Sequence, residues 1–367
     1  MKKNIYLLEP QLFIKADLNF ELFYNQKLQD PNYHQSFFES QIKKYLETEK
    51  EICTLSSGTA AIHLSLVMSN ITSEDVVFCS NSTFIATVNP ILYLQAKPYF
   101  IDIDLETGNM NMDYLEAAIL KTVETGQLPK AVIITHSYGF PAEMERLMEI
   151  KEKYNLIIIE DAAEALGSKY KNSYCGTIAD FGVFSFNTNK LNTTFGGGAL
   201  VVPDLKSKKM AQKLSSHFKN ASFDFKHDKL AYNFRMNDVA AYIGATQLLS
   251  LKIELNKKKE IHLLYQEFFD KNLMEITETE IESNYWLNCL KIKPLSFDKL
   301  ANNLSKRNIE IRRVWYPLNR QSFLLDFDYY GNDESFVFYN QTICLPSSIN
   351  LTNKDVNKIA SVISINY

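Results

Sequence analysis

Short apolar segments recur along the first half of the chain and alternate with stretches of helical periodicity. Several of these segments, such as 130–135 (KAVIIT) and 156–161 (LIIIED), are continuous and rich in β-branched residues, as in strands buried on both faces of a sheet. The intervening stretches, such as 112–121 and 142–154, have the spacing of amphipathic helices. The predicted strands are 76–79, 97–104, 130–135, 156–161, 181–186 and 198–202. This alternation predicts an α/β fold in which helices cover a mainly parallel sheet.

The pattern changes near residue 237, and the length of the chain predicts more than one domain. At about 150 residues per domain, 367 residues correspond to roughly two domains. Residues 237–272 carry apolar side chains at helical spacing throughout, and Asn237 or Asp238 can cap the helix. We therefore predict a large domain over 1–236. Residues 237–367 would supply one long linking helix and a smaller α+β domain.

Composition excludes several classes of protein. The net charge of −4 argues against nucleic acid or an anionic membrane as a partner. The five cysteines form no CxxC pair and the six histidines have no metal-ligand spacing, so we expect reduced thiols and no metal site. The N-terminal residues do not resemble a signal peptide, and no run reaches the roughly 18 apolar residues of a membrane helix. These features predict a soluble, cytoplasmic protein.

A first candidate site lies in the segment 54–67 (TLSSGTAAIHLSLV). Ser57, Gly58 and Thr59 stand where a helix begins, and glycine allows a tight turn there. The first N–H groups of the helix and the positive end of its dipole would then form a seat for a phosphate. A plain helix cap is the alternative interpretation. No GKS or GKT follows, so the segment is not a P-loop.

Two further candidates follow predicted buried strands. Asp161, after Glu160, stands at the end of one strand and could hold a cationic ring nitrogen; alternatively it only caps a following helix. Lys190 follows another strand that ends near Ser185, where a partly desolvated lysine can form a Schiff base; alternatively it is a solvated loop lysine. A phosphate seat, a buried carboxylate and a lysine are together the parts of a pyridoxal 5'-phosphate site.

These motifs resemble the DegT/DnrJ/StrS family of sugar aminotransferases, from about Tyr33 to the C-terminus. The segments TFIATVNPILYLQAKPYFIDID, EDAAEALGSKYKNSYCGT and ICLPSS are most similar to bacterial UDP-4-keto-6-deoxy-GlcNAc 4-aminotransferases. The resemblance implies the fold type I architecture of aspartate aminotransferase and pyridoxal phosphate as cofactor. It also implies transfer of an amino group, with glutamate as the expected donor, to a nucleotide-linked 4-keto-6-deoxy sugar.

The resemblance also implies roles for individual cofactor-binding residues. Lys190 matches the catalytic Schiff-base lysine and Asp161 the aspartate on the pyridine nitrogen. Glu164 matches a position near the ring hydroxyl, and Phe84 an aromatic residue stacked on the ring, with a core aromatic as the alternative. The residues that match phosphate contacts are Gly58, Thr59 and Ser185.

Three more matches concern the partner subunit and the substrate. Asn233 matches an asparagine that reaches the phosphate from the neighbouring subunit, which implies a homodimer with shared active sites. Arg312 and Trp315 match a segment on the substrate side, and an arginine suits a diphosphate. Their alternatives are a turn or cap residue for Asn233, a surface residue for Arg312 and a core residue for Trp315.

The sequence departs from the family pattern in three places and leaves other functions open. The N-terminal segment 7–26 does not fit, Asn319 replaces a common histidine, and Phe195 and Gly196 stand where the family usually has Gly-Glu. These departures leave open whether the nucleotide is UDP, dTDP or GDP and whether C4 or C3 is aminated. A sugar dehydratase of the same fold would carry histidine in place of Lys190. A family member that binds without turnover is a further alternative.

Overall fold

The computed structural model describes residues 4–9, 19–219, 226–275, 280–292 and 297–365, which form twelve α-helices and fourteen strands. The strands are β1 Glu51–Leu55, β2 Val76–Ser80, β3 Lys97–Ile101, β4 Ala131–Thr135, β5 Ile157–Asp161, β6 Lys169–Tyr170, β7 Ser173–Tyr174, β8 Phe181–Ser185, β9 Gly198–Val202, β10 Ile281–Glu282, β11 Asn288–Lys291, β12 Arg312–Arg313, β13 Asp328–Tyr330 and β14 Thr342–Leu345. The helices are α1 Phe20–Gln29, α2 Tyr33–Tyr45, α3 Gly58–Met68, α4 Asn89–Tyr93, α5 Met112–Glu124, α6 Met144–Tyr154, α7 Leu205–Ser215, α8 Asp238–Leu248, α9 Leu251–Phe269, α10 Phe297–Ser305, α11 Glu334–Gln341 and α12 Asn353–Ile365.

The predicted α/β architecture is confirmed by an eight-stranded sheet of order β1-β9-β8-β5-β4-β2-β3-β13. Strand β9 is antiparallel to both of its neighbours, and the other pairs in the sheet are parallel. The six strands predicted from apolar segments are all present, with ends within one to three residues of the prediction. The sheet therefore follows directly from the continuous β-branched segments.

Both faces of the sheet are covered because successive side chains of its strands point in opposite directions. In β4, Val132 and Ile134 lie in the core beneath α5 and α6, whereas Ile133 lies in the core that contains α3. All five residues of β4 are buried. Helix α3 is buried along most of its length, which agrees with its nearly continuous apolar sequence.

The single long helix predicted over 237–272 is wrong, because the structure divides it into α8 and α9. At the junction the Leu249 and Ser250 amides bond to carbonyls only three residues back, and the Ser250 hydroxyl also bonds to the Gln247 carbonyl. This tight turn interrupts the α-helical hydrogen bonding between α8 and α9. The apolar spacing continues through the junction, so the pattern alone could not reveal the break.

Helices α9, α10 and α12 share a second core with the antiparallel sheet β11-β14-β12. The N-terminal Ile5 belongs to this core and pairs with Ile309, and Leu7 accepts a hydrogen bond from the Ser347 amide. Residues 10–18 of the divergent N-terminal segment lie outside the described residues. The division of the chain at 236 stays a prediction, and β13 from beyond it joins the central sheet beside β3.

Two observations bear on the environment of the chain. The five cysteines all have free thiols and are buried, and the closest pair, Cys289 and Cys344, has its sulfur atoms 4.0 Å apart. Among the described residues, no helix combines the length and the apolar character needed to cross a membrane.

Candidate active site

A cavity of about 370 Å³ opens at the carboxyl edge of the central sheet. There β5 ends at Asp161, β8 ends at Ser185, and α3 begins at Gly58. In parallel sheets this edge is where ligands bind. The predicted site residues that line the cavity are Gly58, Thr59, Phe84, Asp161, Glu164, Ser185, Lys190, Arg312 and Trp315. Folding therefore brings together residues from five separate parts of the sequence.

The start of α3 lies in the cavity where the sequence predicts a phosphate seat, and the contact with a phosphate stays a prediction. The Ser57 hydroxyl accepts a hydrogen bond of 3.0 Å from the Ala60 amide, so the capping interpretation also holds. A Cβ atom at Gly58 would lie 3.1 Å from the Ser185 Cβ, so glycine permits this close approach of helix and strand. A helix N-terminus flanked by the Thr59 and Ser185 hydroxyls suits an anion.

Asp161 is a buried carboxylate held by specific donors. The Thr87 hydroxyl donates to Oδ2 at 2.7 Å, and the Ala163 amide donates to Oδ1 at 3.2 Å. The interpretation of Asp161 as a helix cap is wrong, because residues 162–168 form turns and not a helix. Burial raises the pKa of Asp161, and the Thr87 hydrogen bond partly opposes that effect. A cationic ring nitrogen beside this carboxylate would offset the cost of its burial.

Lys190 is mostly buried, with a side chain only 13% exposed, so the interpretation as a solvated loop lysine is wrong. Its Nζ lies 3.7 Å from Oε1 of Glu164 and 3.9 Å from the centroid of the Trp286 ring. Burial lowers the pKa of the Lys190 amine, and the Glu164 and Asp161 carboxylates oppose that effect. A lysine with a lowered pKa is more often present as the neutral amine, which is the form that attacks a carbonyl carbon.

Glu164 is fixed from both sides of its carboxyl group. Its Oε2 accepts a hydrogen bond of 2.8 Å from the Tyr138 amide, while Oε1 faces Lys190. Burial raises the pKa of Glu164, and the Lys190 charge opposes that effect. The Glu164 carboxyl group therefore lies close enough to the Lys190 amine for each group to influence the protonation of the other.

The cavity is also lined by aromatic rings and one guanidinium group. Arg312 stacks on Trp315 with its Cζ 4.1 Å from the ring centroid, and the Phe84 ring lies 5.1 Å from the same ring. Nε and Nη2 of Arg312 are buried and have no hydrogen-bond partner among the described residues. Phe84 is 50% exposed, so it is not a core residue. These groups can bind a planar ring and an anionic substrate.

Asn233 does not line this cavity. Its side chain is exposed, and its backbone pairs with Ser216. The same segment contacts the phosphate seat through a bond from the Ser56 amide to the Phe234 carbonyl. Its predicted contact with the site of a second subunit stays a prediction.

Sequence reasoning missed several residues that line the cavity, and two of them, Trp286 and Thr87, contact predicted site residues. Trp286 contacts Lys190 although it lies in the second half of the chain, and no local motif marks it. Thr87 follows Phe84 by three positions, and its bond to Asp161 could not be read from the sequence because the two residues lie 74 positions apart and meet only in the folded chain. For Thr87, the only signal in the sequence was that a polar residue follows the end of a predicted strand.

This arrangement defines a pyridoxal-phosphate-dependent enzyme. The residues fit the cofactor: the start of α3 can hold its phosphate, Asp161 its ring nitrogen and Lys190 its aldehyde carbon. When bound, pyridoxal phosphate supplies an electron sink for the carbon attached to the substrate nitrogen. The chain matches the DegT/DnrJ/EryC1/StrS aminotransferase family over residues 21–364 and belongs to that family. It is therefore a pyridoxal-phosphate-dependent nucleotide-sugar aminotransferase.

Individual relatives agree with this assignment. The chain is 36% identical to GDP-perosamine synthase of Escherichia coli O157:H7 over 72% of each protein. It is 37% identical to UDP-4-amino-4,6-dideoxy-N-acetyl-beta-L-altrosamine transaminase of Campylobacter jejuni over 64% of this chain and 61% of the relative. A DegT DnrJ EryC1 StrS aminotransferase from Brucella abortus has the same fold, with a TM-score of 0.86, 26% identity and 94% coverage of each chain.

Proposed function

We propose that the enzyme moves an amino group from L-glutamate to C4 of UDP-4-keto-6-deoxy-GlcNAc. The observation that supports transamination best is the position of Lys190, buried in the cavity between Glu164 and Trp286. The neutral amine at Nζ can take a proton from the substrate carbon and return it elsewhere in the same cavity. Asp161 keeps the ring nitrogen of the cofactor protonated. The position of Asp161 and Lys190 inside the cavity keeps water away from the carboxylate and the amine.

The nucleotide sugar would bind on the aromatic side of the cavity. Arg312 presents two unpartnered nitrogens, which suit a diphosphate because a guanidinium can donate paired hydrogen bonds to phosphate oxygens. Trp315 and Phe84 provide faces for rings. UDP is the proposed nucleotide because the quoted segments resemble UDP-sugar 4-aminotransferases. A GDP-linked sugar is the second candidate, since a relative of 36% identity is named for a GDP-sugar.

We also propose a homodimer in which Asn233 completes the phosphate seat of the second subunit. Its exposure supports this role, because an exposed asparagine beside the phosphate seat is free to contact another chain. Size-exclusion chromatography with light scattering should give about twice the 42.3 kDa mass of the chain. Asn233→Ala should weaken cofactor binding without changing that mass, whereas a monomeric enzyme with full activity would contradict the proposal.

The reaction is tested with a panel of UDP-, dTDP- and GDP-linked keto sugars. The enzyme is incubated with glutamate and each sugar, and the amino sugar is identified by mass spectrometry and NMR. We expect amination at C4 of the UDP sugar and ping-pong kinetics, because the donor's keto acid leaves before the sugar accepts the nitrogen. Preference for the GDP sugar would favour the second candidate. Failure on every 4-keto-6-deoxy sugar would direct the assay to 3-keto sugars.

The role of Lys190 is tested separately. Lys190→Ala should abolish both the absorbance of the covalently bound cofactor and turnover, whereas Lys153→Ala, at an exposed lysine on α6, should change neither. A fully active Lys190→Ala enzyme would overturn the assignment. A wild-type protein that binds pyridoxal phosphate but never converts it to the amino form with glutamate would be a binding protein without turnover.

A further inference from the structure

Trp286 is a buried aromatic residue, 1% exposed, whose ring face contacts the amine of Lys190. The Nζ atom lies 3.9 Å from the ring centroid, well inside the distance at which a cation is attracted to an aromatic face. The indole N–H is already used, because it donates a hydrogen bond of 2.9 Å to the Asn189 carbonyl. The tryptophan therefore contacts the lysine with its ring face and the neighbouring backbone with its edge.

The backbone around Trp286 holds the ring in this position. Its amide donates to Oδ1 of Asn284 at 2.8 Å, and its carbonyl accepts a bond of 2.8 Å from Nζ of the buried Lys258. Lys258 also donates to the Ser347 carbonyl, which ties this loop to the C-terminal part of the chain. A ring held at both backbone groups has little freedom to leave Lys190.

The charges around Lys190 Nζ give the ring face a specific role. The carboxylates of Glu164 and Asp161 face it, and the guanidinium of Arg312 lies near enough to act against its positive charge. Burial disfavours the ammonium form of the lysine. The Trp286 face attracts only the ammonium form, and cation–π attraction is strongest for tryptophan and in sites shielded from water.

We propose that Trp286 is a positioning residue for Lys190: its ring face and Oε1 of Glu164 hold the free ammonium group between proton transfers. This inference rests on the proposed function, in which Lys190 carries protons while it is not attached to the cofactor. The face keeps Nζ inside the cavity when it is charged. A residue that only excludes water would have the opposite effect, because its removal would expose the amine and raise the pKa of Lys190.

The test is an NMR titration of cofactor-free protein labelled with ¹³C at the lysine ε carbon, with the Lys190 signal assigned from Lys190→Arg. In the wild type, the Lys190 ε protons should be shifted upfield by the ring current of the Trp286 face. Trp286→Leu should remove that shift and lower the pKa of Lys190 by roughly one unit, because the ammonium loses its aromatic partner. Trp286→Phe should keep the ring-current shift and lower the pKa by less.

The controls separate this role from simple packing. Phe78→Leu removes a fully buried aromatic ring on β2 that does not line the cavity, and it should leave the Lys190 titration unchanged. If both Trp286 variants titrate like the wild type, the proposal is wrong, even if both are less stable. If Trp286→Leu does not fold, the titration of Trp286→Phe decides alone. A Lys190 pKa equal to that of the wild type would then show that the proposal is wrong.

Cofactor binding is followed in parallel by absorbance. Normal binding by the wild type without any effect of Trp286 on the Lys190 signal would overturn this proposal alone. If the Trp286 variants show the predicted NMR changes but the wild type cannot bind pyridoxal phosphate, the proposed function is wrong. The contact between Trp286 and Lys190 would still be established.

Discussion

Thr87 is expected to control the charge of Asp161. The threonine side chain is fully buried, and its Oγ1 donates to Oδ2 of the carboxylate at 2.7 Å. The same oxygen lies 2.9 Å from the Thr83 hydroxyl, which in turn accepts a bond from Thr135. Thr87→Val keeps the shape of the side chain and removes the donor, so the change is electrostatic and not steric.

The size and sign of the effect follow from this geometry. A hydrogen bond to a charged group contributes about 1.5–3 kcal/mol, which corresponds to a rise of roughly one to two units in the pKa of Asp161. Burial already raises that pKa above its usual value, so the folded protein loses stability as the pH rises through it. Without the Thr87 hydroxyl, the ionised Asp161 carboxylate loses a hydrogen-bond donor and is less stable. The cost of Thr87→Val should therefore be small in acid and reach its full size once Asp161 is ionised in both proteins.

The assay is denaturant unfolding of the cofactor-free protein across a series of pH values. Thr87→Ser keeps a hydroxyl and should behave more like the wild type. In an Asp161→Asn background there is no anion to stabilise, so Thr87→Val should cost the same at every pH. A cost in the wild-type background that does not change with pH would refute the reasoning, because it would show that Thr87 contributes packing only.

Three further changes test other parts of the site. Gly58→Ala would press a methyl group against the Ser185 Cβ, 3.1 Å away, and displace the start of α3 from the end of β8, so the cofactor Kd should rise about tenfold or more; unchanged quenching of tryptophan fluorescence by pyridoxal phosphate would contradict this. Arg312→Gln should raise the KM for the nucleotide sugar about tenfold or more, and Arg312→Lys by less; an equal KM in kinetic assays would exclude a contact with the diphosphate. Lys258→Met leaves the buried carbonyls of Trp286 and Ser347 without a donor, so the free energy of unfolding should fall by about 2–5 kcal/mol in denaturant titrations.

Much of the central sheet could be predicted because its strands are marked locally. The segment AVIIT is apolar and rich in β-branched residues throughout. It could therefore be assigned as a buried strand without knowing which strands lie beside it. The same holds for the ends of strands: Asp161 and Ser185 are the last residues of β5 and β8, and the sheet brings them to one edge. The seat at Gly58 was likewise a local signal at a helix start.

Two features of the structure were not visible in the sequence. The break between α8 and α9 falls inside an uninterrupted apolar pattern, and only the hydrogen bonds at Leu249 and Ser250 show it. The helix expected after Asp161 is absent, because Asn284 donates from far along the chain to the carbonyls of Glu164 and Leu166 and holds them in turns. Local propensity favoured a helix there, and these long-range bonds decided the outcome.

The chemistry of the site likewise has one part that a local motif predicts and another part that depends on contacts formed in the folded chain. A motif at the end of a strand identifies Lys190 as the residue that can carry the cofactor, but its reactivity depends on burial, on Glu164 and on the face of Trp286. Trp286 in turn is held by Lys258, which belongs to α9. Residues 237–367 therefore do more than line the cavity, because Trp286 and Lys258 influence the protonation of Lys190, which lies before this region. Relatives that share the lysine motif and differ at this tryptophan should differ in the pH at which Lys190 becomes reactive.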